Sequence, residues 1–185
     1  MLPGLKFTMP CRQIHFLLPG LLLIMLLGTV EAELRINEFV ASNRTGLIDE
    51  DGDHPDWIEI YNSGPDVVDL AGWSLTDDAD EPTKWGFPAV NLEGKGYLLV
   101  FASGKDRVES KSPHTNFKLS SEGEYLGLSN PDGEQVSSLT PTFPALARDT
   151  SYGLDDSLAF RYWRTPTPGS MNGEDPGLGP LLFAP

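Results

Sequence analysis

Beyond about residue 33 the apolar residues come in short runs broken by Gly, Pro, Asn and Asp, and no stretch keeps a helical period for three turns. The runs fall at 34–41, 56–62, 67–70, 72–76, 84–87, 97–102, 117–120, 125–129, 135–139 and 159–163. Many short strands joined by turns predict an all-β sandwich or barrel. In 97–102 both alternating sets are apolar, so that strand is expected to be covered on both faces and central. In 125–129, Leu126 and Leu128 form one apolar face opposite Gly127 and Ser129, which predicts a half-solvated strand. The turn Asn130-Pro131-Asp132-Gly133 then predicts a hairpin, with Pro131 setting the first corner and Gly133 accepting a positive φ.

The N-terminal thirty-two residues have a different character. Lys6 and Arg12 precede an apolar run at 16–27, and Val30-Glu31-Ala32 places small residues at a cleavage position. This is the pattern of a secretory signal helix, with a mature start near Glu33. A membrane anchor is the alternative, but a spanning helix needs about 20 apolar residues. This run is shorter and contains Pro19 and Gly20. Cys11 is the single cysteine and falls before the cut, so the mature part has no disulfide or thiol chemistry. Export without cysteine leans towards a bacterial envelope or extracellular protein.

The formal net charge is −14, and removing Lys6, Arg12 and Glu31 with the signal leaves −15. Such a surface repels phosphate backbones and argues against a nucleic-acid partner. The remaining length, about 150 residues, suits one domain. At its end Thr165-Pro166-Thr167-Pro168-Gly169-Ser170-Met171-Asn172 reads as a domain exit. Residues 173–185 read as a Gly/Pro linker and a truncated or flexible apolar tail, where either a second module of a longer parent follows or the reading frame is cut short; a tail folding back on the sandwich is the alternative.

Several blocks taken in order resemble the lamin tail domain, the immunoglobulin-like module of nuclear lamins that also occurs in exported bacterial proteins. They are Ile36-Asn37-Glu38, Asp56-Trp57-Ile58-Glu59-Ile60-Tyr61-Asn62, Val68-Asp69-Leu70-Ala71-Gly72-Trp73-Ser74-Leu75-Thr76-Asp77, Lys84-Trp85-Gly86-Phe87-Pro88, and Asn116-Phe117-Lys118-Leu119-Ser120 with Gly123-Glu124. The closing Thr167-Pro168-Gly169-Ser170-Met171-Asn172 resembles the exit of the bacterial branch. The resemblance covers 34–172 and implies an immunoglobulin-like β-sandwich over 33–172. Independently of it, Gly72 between Leu70 and Trp73 suits a tight turn. Trp57, Trp73 and Trp85 are large enough to fill the space between two sheets, and a carbohydrate platform is the functional alternative for them. Asn37, Glu38, Glu59 and Asn62 stand among strand residues, where burial obliges them to hydrogen-bond, most simply to turn backbone.

The acidic loop ahead of the second run carries Asp49, Asp51 and Asp53 at alternating positions. An EF-hand needs glycine sixth and glutamate twelfth, but Gly52 is fourth and Ile60 twelfth. A looser calcium site from Asp49, Asp51, Asp53 and Asp56 is the metal hypothesis; a solvated loop is the simpler one. A second cluster, Asp77-Asp78-Ala79-Asp80-Glu81, follows another strand end. Beyond the signal there are only His54 and His114, with no Gly-x-Ser-x-Gly elbow, His-Glu-x-x-His or phosphate loop. No nucleophile, base and orienter can be assembled from sequence, so no catalytic residue is expected. Asn43-Arg44-Thr45 is a glycosylation sequon, meaningful only in a eukaryotic secretory route.

The expectation is therefore a secreted, non-catalytic structural or adhesive module at the cell surface, binding a protein or an envelope polysaccharide through loops and sheet edges. The alternatives are a calcium-dependent adhesion domain and a carbohydrate-binding or targeting accessory of a longer exported protein.

Overall fold

A computed structural model describes residues 34–173. The expected signal segment and the tail from 174 lie outside the described residues. The strands are β1 (Leu34–Val40), β2 (Asp56–Asn62), β3 (Val68–Asp69), β4 (Ser74–Thr76), β5 (Trp85–Gly86), β6 (Asn91–Leu92), β7 (Tyr97–Ala102), β8 (Leu126–Ser129), β9 (Gln135–Leu139), β10 (Ser151–Leu154) and β11 (Phe160–Trp163). A five-stranded sheet in the order β11-β10-β1-β2-β7 faces a four-stranded sheet in the order β5-β4-β8-β9, with β3 and β6 as a separate pair. Every pairing between these strands is antiparallel. The all-β architecture is that of an immunoglobulin-like sandwich.

The two-residue period of the strands sorts the side chains. Ile36, Ile58, Ile60, Val100 and Ala102 join Leu75, Trp85, Leu126 and Leu128 in the main core, each at most 2% exposed. Burying an aliphatic or aromatic side chain of this size contributes roughly 1.5–3 kcal/mol. A β-bulge between Ile36 and Glu38 breaks the β1 register and returns Phe39 to the core. Near it the Ile36 N–H donates to Ser137 Oγ of β9 at 3.2 Å, fastening one sheet to the rim of the other.

Several expectations are corrected by packing that spans distant parts of the chain. β7 is buried over Val100–Ala102 but only half-buried over Tyr97–Leu99, and it is an edge strand rather than a central one. Its outer face is covered by a satellite cluster of Val40, Trp57 and Phe101, with Leu47 and Leu99 against it. Trp57 therefore lies outside the five-stranded sheet, not between the sheets, because its neighbours Ile58 and Ile60 occupy the inner positions. Trp85 lies in the main core and Trp73 packs against it. β8 is buried on both faces, since the Tyr125 side chain lies over Gly127 where any Cβ would collide with it. Residues 117–120 form only an isolated bridge between Ser103 and Lys118. The Asn130–Gly133 turn closes the β8–β9 hairpin as expected, with Gly133 at φ 79°, and Gly72 takes φ 85°.

The polar strand residues hold the closing segment against the sheet. Glu38 and Glu59 are register partners on β1 and β2 and are 0% exposed. Glu38 accepts from Ser151 Oγ, from the Thr167 N–H at 3.0 Å and from Thr167 Oγ1 at 3.3 Å. Glu59 accepts from Asn37 Nδ2 at 2.9 Å and from the Gly169 N–H. Asn172 Nδ2 donates to the carbonyls of Asn37 at 3.0 Å and Leu154 at 2.8 Å. The segment expected as an exit thus lies across the outer face of the sheet. Asn62, by contrast, donates to turn carbonyls of Asp66 and Leu92, as its burial requires.

Burial pushes the Glu59 carboxyl from an ordinary 4.5 up to about 7. Burial also raises Glu38 and lifts Asp56 to about 6. Between the unfolded value and the raised folded value the native chain holds a proton that the unfolded chain has lost. Stability is therefore greatest below about pH 4.5 for these groups and falls as pH rises towards 7. The full Glu59 contribution corresponds to about 3 kcal/mol. Chemical denaturation of the full chain between pH 5 and 7.5 is expected to show this decline, and Glu59→Gln to remove about one proton from the slope. An unchanged slope in the variant would contradict the assignment.

Candidate functional site

The acidic loop between β1 and β2 folds around Asp49. Its side chain is 0% exposed and its Oδ1 accepts the N–H groups of Asp51 and Asp53, both at 3.0 Å. Gly52, at φ 84°, lets the loop return so that the Asp49 N–H reaches the Asp53 carbonyl at 3.0 Å. The carboxylates of Asp49, Asp51 and Asp53 consequently lie within 4.8 Å of one another.

A cation of the chain itself stands among them. Lys105 Nζ, from the turn after β7, lies 2.5 Å from Asp49, 2.7 Å from Asp51 and 2.8 Å from Asp53. Burial of the Asp49 carboxyl works to raise its pKa, but Lys105 and the two loop N–H groups outweigh it and hold it below the ordinary value. Lys105 is opposed by its own desolvation, but its three carboxylate partners hold its pKa above the ordinary lysine range. Arg107 adds a second tie, 2.7 Å to Asp51 and 3.2 Å to Glu50. Of the four proposed ligands, Asp56 is not in this group. It begins β2 and accepts the Asn43 N–H at 3.0 Å.

A third tie uses the buried histidine. His114 is 0% exposed, its Nδ1 lies 2.9 Å from Ser103 Oγ and its Nε2 lies 3.1 Å from Glu50 Oε2. A serine, a histidine and a carboxylate are thus aligned, a combination that sequence could not assemble because Glu50 and His114 are far apart in the chain. Ser103 lines a cleft of about 680 Å³ together with Asn43, Arg44, Asp56, Lys105 and Lys118. The imidazole is wholly enclosed, with its two nitrogens in contact with Ser103 and Glu50. The alignment ties the acidic loop, through Glu50 and His114, to the residue that follows β7.

The other sequence features are accounted for locally. Asn43 is 5% exposed and its Nδ2 donates to the carbonyls of Leu47 at 2.7 Å and Pro55 at 2.8 Å, so the sequon amide is committed to the fold. Asp77 pairs with Lys84 at 2.7 Å. Burial raises the Glu124 carboxyl, and Asp77 and Asp56 add to that rise. Sequence reasoning missed Lys105, Arg107 and Ser103. Their one local signal is that they follow a strand end, as the acidic loop precedes one.

Replacing Lys105 by Met leaves Asp49 buried without its counter-charge. The expected loss is roughly 1–3 kcal/mol, below that for a fully buried pair because Lys105 is partly exposed. Thermal melting and amide exchange across 49–53 would measure it. Unchanged melting together with unchanged exchange would show that the ammonium does not hold the loop.

Comparison with known proteins supports the architecture. The Lamin Tail Domain family model matches residues 29–142, and no curated protein matches the chain. β10 and β11 lie beyond the matched range, yet β10 pairs directly with β1 and β11 with β10. With more than half its length matched and the sandwich formed as described, the chain belongs to the lamin tail domain family.

Proposed function

We propose that this lamin tail domain is an exported, non-catalytic module of the bacterial branch that binds a protein partner outside the cell. The observation that carries the reading is the edge of β7, where the backbone groups of Tyr97 and Leu99 face away from β2 on a half-buried strand. An unpaired strand edge is a template for main-chain recognition. Export is supported by the charge and apolar pattern of residues 1–32. Against a polysaccharide partner, Trp57 and Trp85 are 1% and 2% exposed and offer no platform, and Trp73 is half-buried against the main core.

The second reading is calcium-dependent adhesion. In its favour, the carboxylates of Asp49, Asp51 and Asp53 converge within 4.8 Å. A calcium ion there has to displace the Lys105 ammonium, and Asp56 lies outside the group. Binding without calcium predicts no change in melting temperature on adding calcium and then EDTA; an upward shift reversed by EDTA would favour the second reading.

Two further outcomes test the first reading. Expression of the full chain in a secreting host should release a product beginning at Glu33, and retention of residues 1–32 in the cell-bound product would contradict cleavage. A fluorophosphonate probe should leave Ser103 unlabelled. Labelling of Ser103 that disappears in His114→Ala would overturn the non-catalytic assignment.

A further inference from the structure

Three side chains stand in register across the outer face of the five-stranded sheet: Arg35 on β1, Tyr61 on β2 and Tyr97 on β7. The Arg35 guanidinium carbon is 5.0 Å from the centre of the Tyr61 ring, and the Tyr61 and Tyr97 rings are 4.6 Å apart at 30°. That separation matches the roughly 4.7–4.9 Å between neighbouring strands, so the groups stack along the hydrogen-bonding direction, one per strand. The stack ends at Tyr97 because β7 is the last strand. Among the described residues no aromatic or cationic group lies against its remaining ring face.

The backbone of the same stretch is open. The Asn62 N–H donates to the Gly96 carbonyl at 3.0 Å, while the Phe101 N–H donates to Pro113 O and Phe101 O accepts from Thr115 N–H. With a two-residue period, Tyr97 and Leu99 share the outward orientation of Phe101. Residues 113–115 cap the far half of β7, and Lys95, at φ 61°, ends the strand's near side. Between them remain two N–H and two carbonyl groups with no backbone partner among the described residues. The other rims lack this combination. β5 is two residues long, β9 is engaged by β1 through Ser137, and β11 leads into the closing segment.

We propose that the 97–99 edge accepts a short, extended, basic peptide segment as a sixth strand. An arginine stands directly opposite Tyr97, and an apolar side chain lies opposite Leu99. The inference rests on the binding-module reading and names the site and chemistry of its partner. Antiparallel addition matches every pairing between the named strands, although the isolated Phe101–His114 bridge on this edge is parallel, and it gives the pattern apolar, any residue, arginine. The arginine would place a second guanidinium at the open end of the stack, enclosing both rings between cations. The apolar residue would extend the satellite cluster through Leu99. Charge selects this partner over a second copy. The chain carries a net −14, while beside the edge Glu93 and Lys95 are both exposed and neither forms an ion pair among the described residues, so the net charge makes the difference. Two such chains repel, whereas a basic strand is attracted.

The test uses the full chain and a fluorophore-labelled peptide, Thr-Val-Thr-Arg-Thr, followed by anisotropy and by amide exchange of the protein. Saturable binding is expected, with new protection of the Tyr97 and Leu99 amides. N-methylation of the two peptide residues that face the edge should abolish it. Tyr97→Ala and replacement of the peptide arginine by uncharged citrulline should each weaken binding about two- to five-fold, and the two changes together by less than their product. The idea is overturned by binding that survives N-methylation, by independent effects of the two changes, by no saturation at about 1 mM peptide, or by self-association of the chain through the same amides. Any of these removes the β7 edge as support for partner binding, while export and Ser103 reactivity remain separate tests of secretion and of the non-catalytic reading.

Discussion

A sheet that buries carboxylates on its outer face has to cover them, and this requirement organises one side of the molecule. Glu38 and Glu59 are adjacent across β1 and β2 and wholly buried. Water cannot reach them, so the N–H groups of Thr167 and Gly169 take its place. Because these donors belong to the end of the described chain, the last segment becomes part of the sandwich. β10 and β11 are held in the same arrangement, since Ser151 of β10 donates to Glu38 and Asn172 donates to the Leu154 carbonyl. The cost is two carboxyls whose charged forms are disfavoured by burial.

The other end of the same sheet face uses opposite electrostatics. There a buried carboxylate, Asp49, keeps its charge because Lys105 is beside it, and Arg107 and His114 bind the exposed members of the loop. The loop and the turn after β7 are thereby tied across a distance that neither strand spans. The satellite cluster of Val40, Trp57 and Phe101 lies beneath these ties. Between the tied loop and the covering segment the sheet ends at the near half of β7, where neither covers the backbone. The position of the open edge is thus a consequence of where the chain spends its own polar groups.

Much of this was legible in the sequence, but not all of it in the same way. Short apolar runs broken by Gly, Pro, Asn and Asp identified β1, β2 and β7, because runs and turn residues are local properties. The identity of Glu38, Glu59 and Asn62 as obligatory hydrogen-bonding residues was also legible. Their partners were not all legible, since Thr167 and Gly169 lie more than a hundred residues from the carboxylates they serve. For β7 an apolar sequence on both faces reports coverage of the faces but says nothing about the hydrogen-bonding edges, and so a rim strand read as a central one. The acidic loop showed its carboxylates but not the ammonium that neutralises them, because Lys105 is an unremarked lysine in a Ser-Gly-Lys turn until folding brings it to Asp49.

The account is tested most directly by residue-resolved amide exchange of the free full chain by NMR at neutral pH. It predicts slow exchange at Thr167 and Gly169, comparable with β1 and β2, and fast exchange at Tyr97 and Leu99 alternating with slow exchange at Leu98 and Val100. Rapid exchange at Thr167 and Gly169 would show that the closing segment does not cover the buried carboxylates. Uniform protection along β7 would show that its edge is not open.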